Sequence, residues 1–219
     1  MRVSAVVSRR QKHHSSSLAP PALGFAVPVA PLYRDFSGQE KLLKAKIVYF
    51  SQTGNTRKVA QAMVEAMNAV GCAASAVPLS QWNNSSGDDY DLLGVGAPSF
   101  SSQAPTPVKR LIKNLPALHG KSAFVFSTSG GAPGTVLYDM AAALKKKGAR
   151  VSGGFLCRGE CFHPAPEIYG RAPGRPDEND LENARSFARS AVENLCSGGA
   201  SALVNGRQDA LAPRYGFYW

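Results

Sequence analysis

The spacing of hydrophobic positions along the chain alternates between two patterns. A short β-branched and aromatic run at residues 46–50 is followed by apolar positions at helical spacing from residue 57 to residue 70. The alternation continues, and it predicts strands at 46–50, 73–79, 92–97, 123–126 and 150–157, and helices at 57–70, 107–115, 136–147 and 177–195. Such a pattern predicts an α/β fold, in which a parallel sheet is covered by helices on both faces.

Residues with strong local preferences mark the ends of the predicted helices. Gly71 and Gly148 stand where C-terminal caps belong, and Pro107 lies near the start of the second helix. Three acidic residues within 177–180 favour a helix start, because carboxylates stabilise the positive end of the helix dipole.

Polar loops follow three of the predicted strands at their carboxyl ends. These loops begin at Ser51, at Pro98 and at Ser127, and they consist mainly of small and polar residues. In a parallel sheet the carboxyl ends of the strands share one edge, and ligands bind in the crevice beyond it. We therefore expect the three loops to meet around one ligand.

The first loop, Ser51–Thr56, reads SQTGNT and joins a buried strand to a helix. Free backbone N–H groups at a helix start bind anions, and hydroxyl and amide side chains add further donors. The loop therefore suits a terminal phosphate, with an ordinary Ser/Thr/Gly turn and N-cap as the alternative. It matches neither the P-loop pattern nor the G-x-G-x-x-G fingerprint of dinucleotide-binding folds.

Composition and charge narrow the possible functions. Hydrophobic residues make up 44% of the 219 residues, which is enough for a globular core. The net charge is +10, and residues 1–44 contribute half of it, with seven Lys or Arg against two acidic residues. The other basic residues are scattered, apart from Lys145–Lys147 at the end of a predicted helix, so we predict no nucleic-acid binding.

The chain divides into three parts. Residues 1–44 form a basic, Pro/Ser-rich extension that is either disordered or a targeting segment, and residues 197–219 form a C-terminal tail. The alternating pattern occupies residues 45–196. Four cysteines are too few for a disulfide scaffold, and no apolar stretch is long enough to cross a bilayer. We predict a cytoplasmic protein, with an organelle reached through a transit peptide as the alternative.

The motif SQTGNT, placed directly after a strand, resembles the phosphate loop of flavodoxins, [ST]-x-T-G-x-T. Asp91–Pro98 is similar to the third flavodoxin strand and the flavin-contacting loop behind it, and Ser127–Gly131 to the start of the second flavin loop. Gly174–Leu181 resembles the flavodoxin part of flavodoxin–ferredoxin fusion proteins. The resemblance covers residues 45–196 and implies a three-layer αβα sandwich with a five-stranded parallel sheet in the order 2-1-3-4-5.

The resemblance to flavodoxins also implies one non-covalently bound FMN. It implies that the phosphate is held by Ser51, Gln52, Thr53, Gly54, Asn55 and Thr56. It places the isoalloxazine ring against one loop formed by Ala97, Pro98, Ser99 and Phe100 and another formed by Thr128, Ser129, Gly130 and Gly131. We assign no catalytic residue and no metal ligand.

Departures from the flavodoxin pattern leave the activity open. The two flavin loops contain no Trp or Tyr, so the ring is either more exposed or covered by residues 158–172. The domain is not acidic, as electron-carrying flavodoxins typically are, and the C-x-x-C clusters that hold iron–sulfur centres in the fusion proteins are absent. Cys157 and Cys161 are either core residues, a redox pair, or metal ligands together with His163.

Three functions remain after these observations. The first is a flavodoxin-type electron carrier or FMN-dependent oxidoreductase that serves a redox partner protein, such as a reductase, a ferredoxin or an acceptor enzyme. The second is an NAD(P)H-dependent quinone reductase, which needs an open flavin ring. The third is a flavin-free binding domain that keeps only the fold, which the intact Ser51–Thr56 loop disfavours.

Overall fold

The computed structural model describes residues 33–34, 40–83, 89–162 and 172–197. Within these residues the main sheet contains β1 (Lys44–Tyr49), β2 (Ala73–Pro78), β3 (Leu92–Pro98), β4 (Ser122–Ser129) and β5 (Arg150–Arg158). The helices are α1 (Asn55–Ala69), α2 (Thr106–Asn114), α3 (Val136–Lys146) and α4 (Glu178–Cys196). A 3₁₀ turn covers Leu79–Gln81, and Tyr33–Arg34 pairs antiparallel with Glu40–Lys41 ahead of the sheet.

The five strands of the main sheet run parallel, in the spatial order β2-β1-β3-β4-β5. This order confirms the predicted flavodoxin-like sheet. Helices α1 and α4 pack together on one face and α2 contacts α3 on the other, which gives the predicted αβα sandwich. The strand order changes direction between β1 and β3, and such a switch opens a crevice at the carboxyl ends of the strands.

The central strand β3 is buried from Leu92 to Ala97, as its continuous apolar run predicts. Two glycines in it make room for aromatic rings of the neighbouring strand. A Cβ at Gly94 would lie 2.5 Å from the ring of Phe124, and a Cβ at Gly96 would lie 2.1 Å from the ring of Phe126. A side chain at either glycine would displace a ring of β4, the strand that carries the second predicted flavin loop.

Two element boundaries differ from the prediction by two residues or more at the edge where the strands end. Helix α1 begins at Asn55 rather than at residue 57, so Asn55 and Thr56 form its first turn. Strand β4 continues to Ser129 rather than ending at residue 126. Small polar residues favour turns in isolation, but here Thr56 and Thr128 form a buried hydrogen bond that keeps both in regular structure.

The predicted helix ends agree with the structure. Gly71 and Gly148 follow α1 and α3 with positive φ angles of 82° and 83°. Asp177 is the N-cap of α4, and its side chain accepts a hydrogen bond from the N–H of Asp180.

Some predictions concern residues outside the described ranges. These include most of the extension 1–44, the tail from residue 198, the polar loop at 84–88, and His163. The division of the chain into three parts therefore stays a prediction. Among the described residues, none of the helices has both the length and the apolar character that crossing a bilayer requires.

Candidate functional site

A cavity of about 540 Å³ opens at the carboxyl edge of the sheet. It is lined by four segments of the chain: Gln52, Thr53 and Asn55; Pro98, Ser99, Phe100, Ser101 and Ser102; Thr128, Ser129, Gly130, Gly131 and Ala132; and Gly159, Glu160, Cys161 and Phe162. The three loops predicted to share a ligand therefore meet at one cavity, and a fourth segment joins them.

The start of α1 forms one end of this cavity. Gly54 precedes the helix with a φ of 95°, a left-handed conformation that glycine adopts without strain. The Ser51 Oγ accepts hydrogen bonds from the N–H groups of Gly54 (3.2 Å) and Arg57 (3.4 Å). Within the described part of the chain, no acceptor is found for the backbone N–H groups of Gln52, Thr53, Asn55 and Thr56. Four amide donors thus remain at the positive end of the helix dipole, where anions bind.

Positive side chains accompany these donors. Arg57 and Lys58 are exposed in the first turn of α1, which holds no acidic residue. The Arg57 Nη2 lies 3.8 Å from the position that a Cβ on Gly54 would occupy. Cations at this end of a helix oppose its dipole, so both charges are unfavourable unless an anion binds nearby.

Two residues predicted to hold the ligand are bonded to other parts of the protein. The Asn55 Nδ2 donates to the carbonyl oxygen of Glu160 at 2.9 Å, which ties α1 to the segment after β5. The Thr56 Oγ1 and the Thr128 Oγ1 are 2.9 Å apart, and both residues are buried. Since a hydroxyl group has one proton and two lone pairs, this pair uses one threonine proton and leaves the other for a further acceptor.

The segment after β3 folds into a tight two-residue turn. Phe100 and Gln103 exchange both backbone hydrogen bonds at 2.9 Å, with Ser101 and Ser102 between them at φ angles of 46° and 64°. Positive φ at both central residues is the geometry of a type I′ turn, which usually contains Asn or Gly. The turn places Phe100 at the cavity, with its ring edge-on to that of Phe50 at 6.1 Å and 39% of its surface exposed.

The same turn is fixed to the segment after β4. The Ser99 Oγ donates to the carbonyl oxygen of Pro133 at 3.0 Å, and the Thr135 N–H donates to that of Ser102 at 2.8 Å. Gly134, at a φ of 58°, approaches so closely that a Cβ would lie 2.0 Å from the Ser102 oxygen. These contacts hold two walls of the cavity at a fixed separation.

The fourth lining segment, Gly159–Phe162, is absent from the predicted site residues. It lies within the stretch 158–172 that we considered as a cover for the ring, and it packs closely on its neighbours. A Cβ at Gly130 would lie 2.3 Å from the Cβ of Cys161, and a Cβ at Gly159 would lie 2.9 Å from the Asn55 Nδ2. Its position after the carboxyl end of a strand is the signal that identified the other three loops.

Cys157 and Cys161 have separate environments. Cys157 is buried in the core, where burial raises the pKa of its thiol far above the ordinary value and keeps it protonated. Cys161 lines the cavity, and neither cysteine forms a disulfide. In the described ranges, no three His, Cys, Asp or Glu side chains are arranged to hold a metal ion.

Most of the predicted site residues line the cavity directly. Those that do are Gln52, Thr53, Asn55, Pro98, Ser99, Phe100, Thr128, Ser129, Gly130 and Gly131. The other four are Ser51, Gly54, Thr56 and Ala97. They lie behind the lining, where Ser51 accepts two amide hydrogen bonds, Thr56 binds Thr128, and Ala97 is fully buried in β3.

Comparison with known proteins adds independent information. Residues 46–171 match the family model described as flavodoxin domain. An uncharacterized protein of Methanocaldococcus jannaschii is 26% identical over 156 residues, which cover 69% of this chain and 100% of that protein.

Solved structures share the fold. A flavodoxin from the domain Archaea superposes with a TM-score of 0.57 at 18% identity, over 70% of this chain and 99% of that chain. The two-electron reduced flavodoxin of Megasphaera elsdenii superposes with a TM-score of 0.53 at 24% identity, over 68% of this chain and 98% of that chain. The rubredoxin oxygen:oxidoreductase of Desulfovibrio gigas superposes with a TM-score of 0.57 at 18% identity, over 72% of this chain and 37% of that chain. At these identities the structural matches establish the common fold.

Proposed function

This chain belongs to the flavodoxin domain family, and we propose from this that it binds one FMN non-covalently and transfers electrons through it. When bound, the flavin supplies the one- and two-electron chemistry, and the protein supplies binding and orientation. One observation carries the proposal. Four amide donors without an acceptor among the described residues stand at the start of α1, beside a cavity lined by two loops of small residues and an aromatic side chain.

The donor set at α1 fits a phosphate group. The backbone N–H groups of Gln52, Thr53, Asn55 and Thr56 are available to its oxygens. The Ser51 hydroxyl accepts from two amides, so its own proton is free to donate. Hydrogen bonds to a charged group contribute about 1.5–3 kcal/mol each, and Arg57 adds positive potential beside them. We assign this end of the cavity to the FMN phosphate.

The remaining walls fit a planar ring system. A flavin ring needs an apolar or aromatic face and backbone groups at its polar edge. Phe100 offers an aromatic face on one wall, and Ser129, Gly130 and Gly131 offer backbone groups on another. The cavity of about 540 Å³ lies within the usual range for cofactor sites, about 300–1,000 Å³.

We propose an electron carrier that serves a redox partner protein, a reductase, a ferredoxin or an acceptor enzyme. Phe100 and Phe162 line the cavity with 39% and 65% of their surfaces exposed, so a partner has access to this edge of the protein. The same access favours an NAD(P)H-dependent quinone reductase as the second candidate. Steady-state oxidation of NADPH in the presence of a quinone distinguishes the electron carrier from the quinone reductase. For an electron carrier we expect no turnover above that of free FMN.

The first test compares FMN with riboflavin, which lacks the phosphate. Purified full-length protein is mixed with each flavin, desalted, and examined by visible absorption, and affinities are measured by quenching of flavin fluorescence. Loss of several charge-assisted hydrogen bonds should weaken riboflavin binding by on the order of 1,000-fold relative to FMN. Equal affinities would contradict the assignment of the α1 start to a phosphate.

A matched pair of variants localises this effect. Thr53→Asp places a carboxylate among the free amides, and we expect FMN binding to weaken by on the order of 100-fold. Thr106→Asp makes the same change at the exposed first residue of α2, outside the cavity lining, and should leave FMN affinity unchanged. A colourless wild-type protein that takes up no FMN would favour the flavin-free binding domain.

A further inference from the structure

The two helical layers of the protein differ in charge. Residues 99–150, which include α2 and α3, carry eight Lys or Arg and a single acidic residue, Asp139. Helix α1 and residues 172–197 together carry five Lys or Arg and six acidic residues. One side of the sheet is therefore strongly basic, while the other is close to neutral.

Most charges of α4, on the neutral side, are paired within the molecule. Arg185 contacts Glu178 at 2.5 Å and Glu182 at 3.4 Å, and Arg189 contacts Glu182 at 2.6 Å. These carboxylates and guanidinium groups satisfy one another, so α4 presents little uncompensated charge to a partner.

Five exposed cations on the basic side lack carboxylate partners among the described residues. We call the exposed residues Lys109, Arg110, Lys113, Lys145 and Lys146 of α2 and α3 the basic face. None of the five forms an ion pair with a carboxylate of the described residues. The sole carboxylate of this layer, Asp139, accepts a hydrogen bond from the Thr135 Oγ1 at 2.8 Å. The basic face thus presents uncompensated positive charge to its surroundings.

The basic face reaches the cavity at Lys109, near the start of α2, and extends away from it to the last turns of α2 and α3. The Lys109 Nζ donates to the Gln103 Oε1 at 2.9 Å, and Gln103 pairs through its backbone with Phe100 of the cavity wall. Tyr138, in the first turn of α3, has 46% of its surface exposed. Together with Phe100 and Phe162 it provides three exposed aromatic side chains at the edge where α2 and α3 begin. Protein interfaces combine such aromatic side chains with a charged rim.

We propose that the basic face, with the aromatic residues beside it, docks an acidic redox partner protein. The proposal deepens the proposed electron-transfer function and rests on it. Complementary charge would orient the partner so that its redox centre faces the cavity edge, and would speed association at low salt. A protein fits better than a membrane, because the apolar sides of α2 and α3 are buried in the core and cannot insert into lipid.

The test uses cytochrome b5, an acidic haem protein, as the probe, and cytochrome c, a basic one, as its counterpart. Binding to the full-length chain is measured by calorimetry at low and high salt, both without flavin and with added FMN. We expect cytochrome b5 to bind and cytochrome c not to bind, with affinity for cytochrome b5 falling as salt screens the charges. Because the flavin-free protein is also measured, failure of FMN binding and failure of docking are distinguishable.

Two variants with equal net charge locate the binding surface. Arg110→Gln/Lys113→Gln removes two cations from the basic face and should weaken cytochrome b5 binding about tenfold at low salt. Gln61→Glu/Ala69→Glu adds two acids at exposed positions of α1 and should change it less than about twofold. Both variants retain residues 1–44, so the basic extension contributes equally to each.

Three outcomes would overturn the proposal. One is equal weakening by both variants, which would reduce the effect to net charge. Another is the absence of cytochrome b5 binding at low salt. The third is tighter, Arg110- and Lys113-dependent binding to phosphatidylserine-containing vesicles than to cytochrome b5, which would make the basic face a membrane site.

Discussion

The first turns of α1 and α4 follow strands of the same sheet but are built in opposite ways. At α4, Asp177 and Asp180 form a capping box, with hydrogen bonds of 2.9 and 3.0 Å between the side chain of each and the backbone N–H of the other. Arg175 pairs with both carboxylates. At α1, Gly54 provides no side chain, and the first turn holds no acid.

The α4 start is built for stability, whereas the α1 start is built to bind a ligand. The chain closes the α4 start with its own carboxylates, which stabilises the helix at no expense to a binding site. It leaves the α1 start open, with two cations and four amides that have no acceptor in the described part of the chain and that an anion from outside can satisfy. A helix start that has neither a side-chain cap nor an acid and that opens onto a cavity is therefore informative about ligands.

Among changes that test the open start of α1, reversing the charge at Arg57 should have the largest effect, and it acts on FMN affinity. In Arg57→Glu, repulsion of the phosphate should weaken FMN binding by on the order of tenfold to 100-fold. The same change should slightly stabilise the flavin-free protein, raising its Tm by about 1–2 °C, because an acid suits the helix N-terminus. Fluorescence titration and thermal unfolding measure the two quantities.

The adjacent residue supplies the control for Arg57. Lys58→Glu changes the net charge equally, but Lys58 points about 100° further round the helix. It should weaken FMN binding less than about threefold. Equal losses in the two variants would show that net charge, and not the position of Arg57 beside Gly54, determines the affinity.

Breaking the buried threonine pair should have the next largest effect, and it acts on stability. Thr56→Val leaves the Thr128 hydroxyl buried without its partner, which should lower the free energy of unfolding by about 1–3 kcal/mol. Thr56→Val/Thr128→Val should recover part of the loss, because both polar groups are then removed. Urea denaturation measures each step, and strictly additive losses would mean that the two hydroxyls do not interact.

Much of this architecture could be predicted from the sequence. Periodicity gave the strands and helices, and the SQTGNT motif located the open helix start. The boundaries at Asn55 and at Ser129 could not be predicted, because Thr56 and Thr128 beside them are joined by a hydrogen bond between residues 72 positions apart. Local preferences for turns carry no information about such partners.

The lining segment Gly159–Phe162 is the part of the site that the sequence did not predict. It follows the carboxyl end of a strand, as the other three loops do, but its sequence has no flavin-loop motif, and its close packing of Gly159 on Asn55 and of Cys161 on Gly130 is visible only in the structure. Glycine can be identified in a sequence, but the side chain that packs against it cannot. The charge contrast between the two helical layers likewise required the topology that puts α2 and α3 on one face.

Removing the cap of α4 should have a smaller effect, confined to stability. Asp177→Ala deletes the acceptor for the Asp180 N–H and should lower the Tm by about 3 °C. FMN affinity should stay within twofold of wild type, since this helix start is already closed. Asn179→Ala, an exposed change in the same turn, should leave both quantities unchanged. A loss of FMN binding in Asp177→Ala would mean that the two helix starts are coupled.

The smallest effect is the pH dependence that distinguishes the two helix starts. The hydrogen bond from the Asp180 N–H, together with Arg175, holds the pKa of Asp177 below its usual value. The stabilisation from Asp177 is therefore complete above the ordinary Asp pKa of about 4 and is lost as the pH falls towards the lower folded value. Thermal unfolding from about pH 5 to pH 3 should show a shallower decline in Asp177→Asn than in wild type. Arg57→Gln should leave the slope unchanged, because the first turn of α1 has no group that titrates in this range. Equal slopes for wild type and Asp177→Asn would contradict the assignment of a folding-linked carboxylate to the closed helix start.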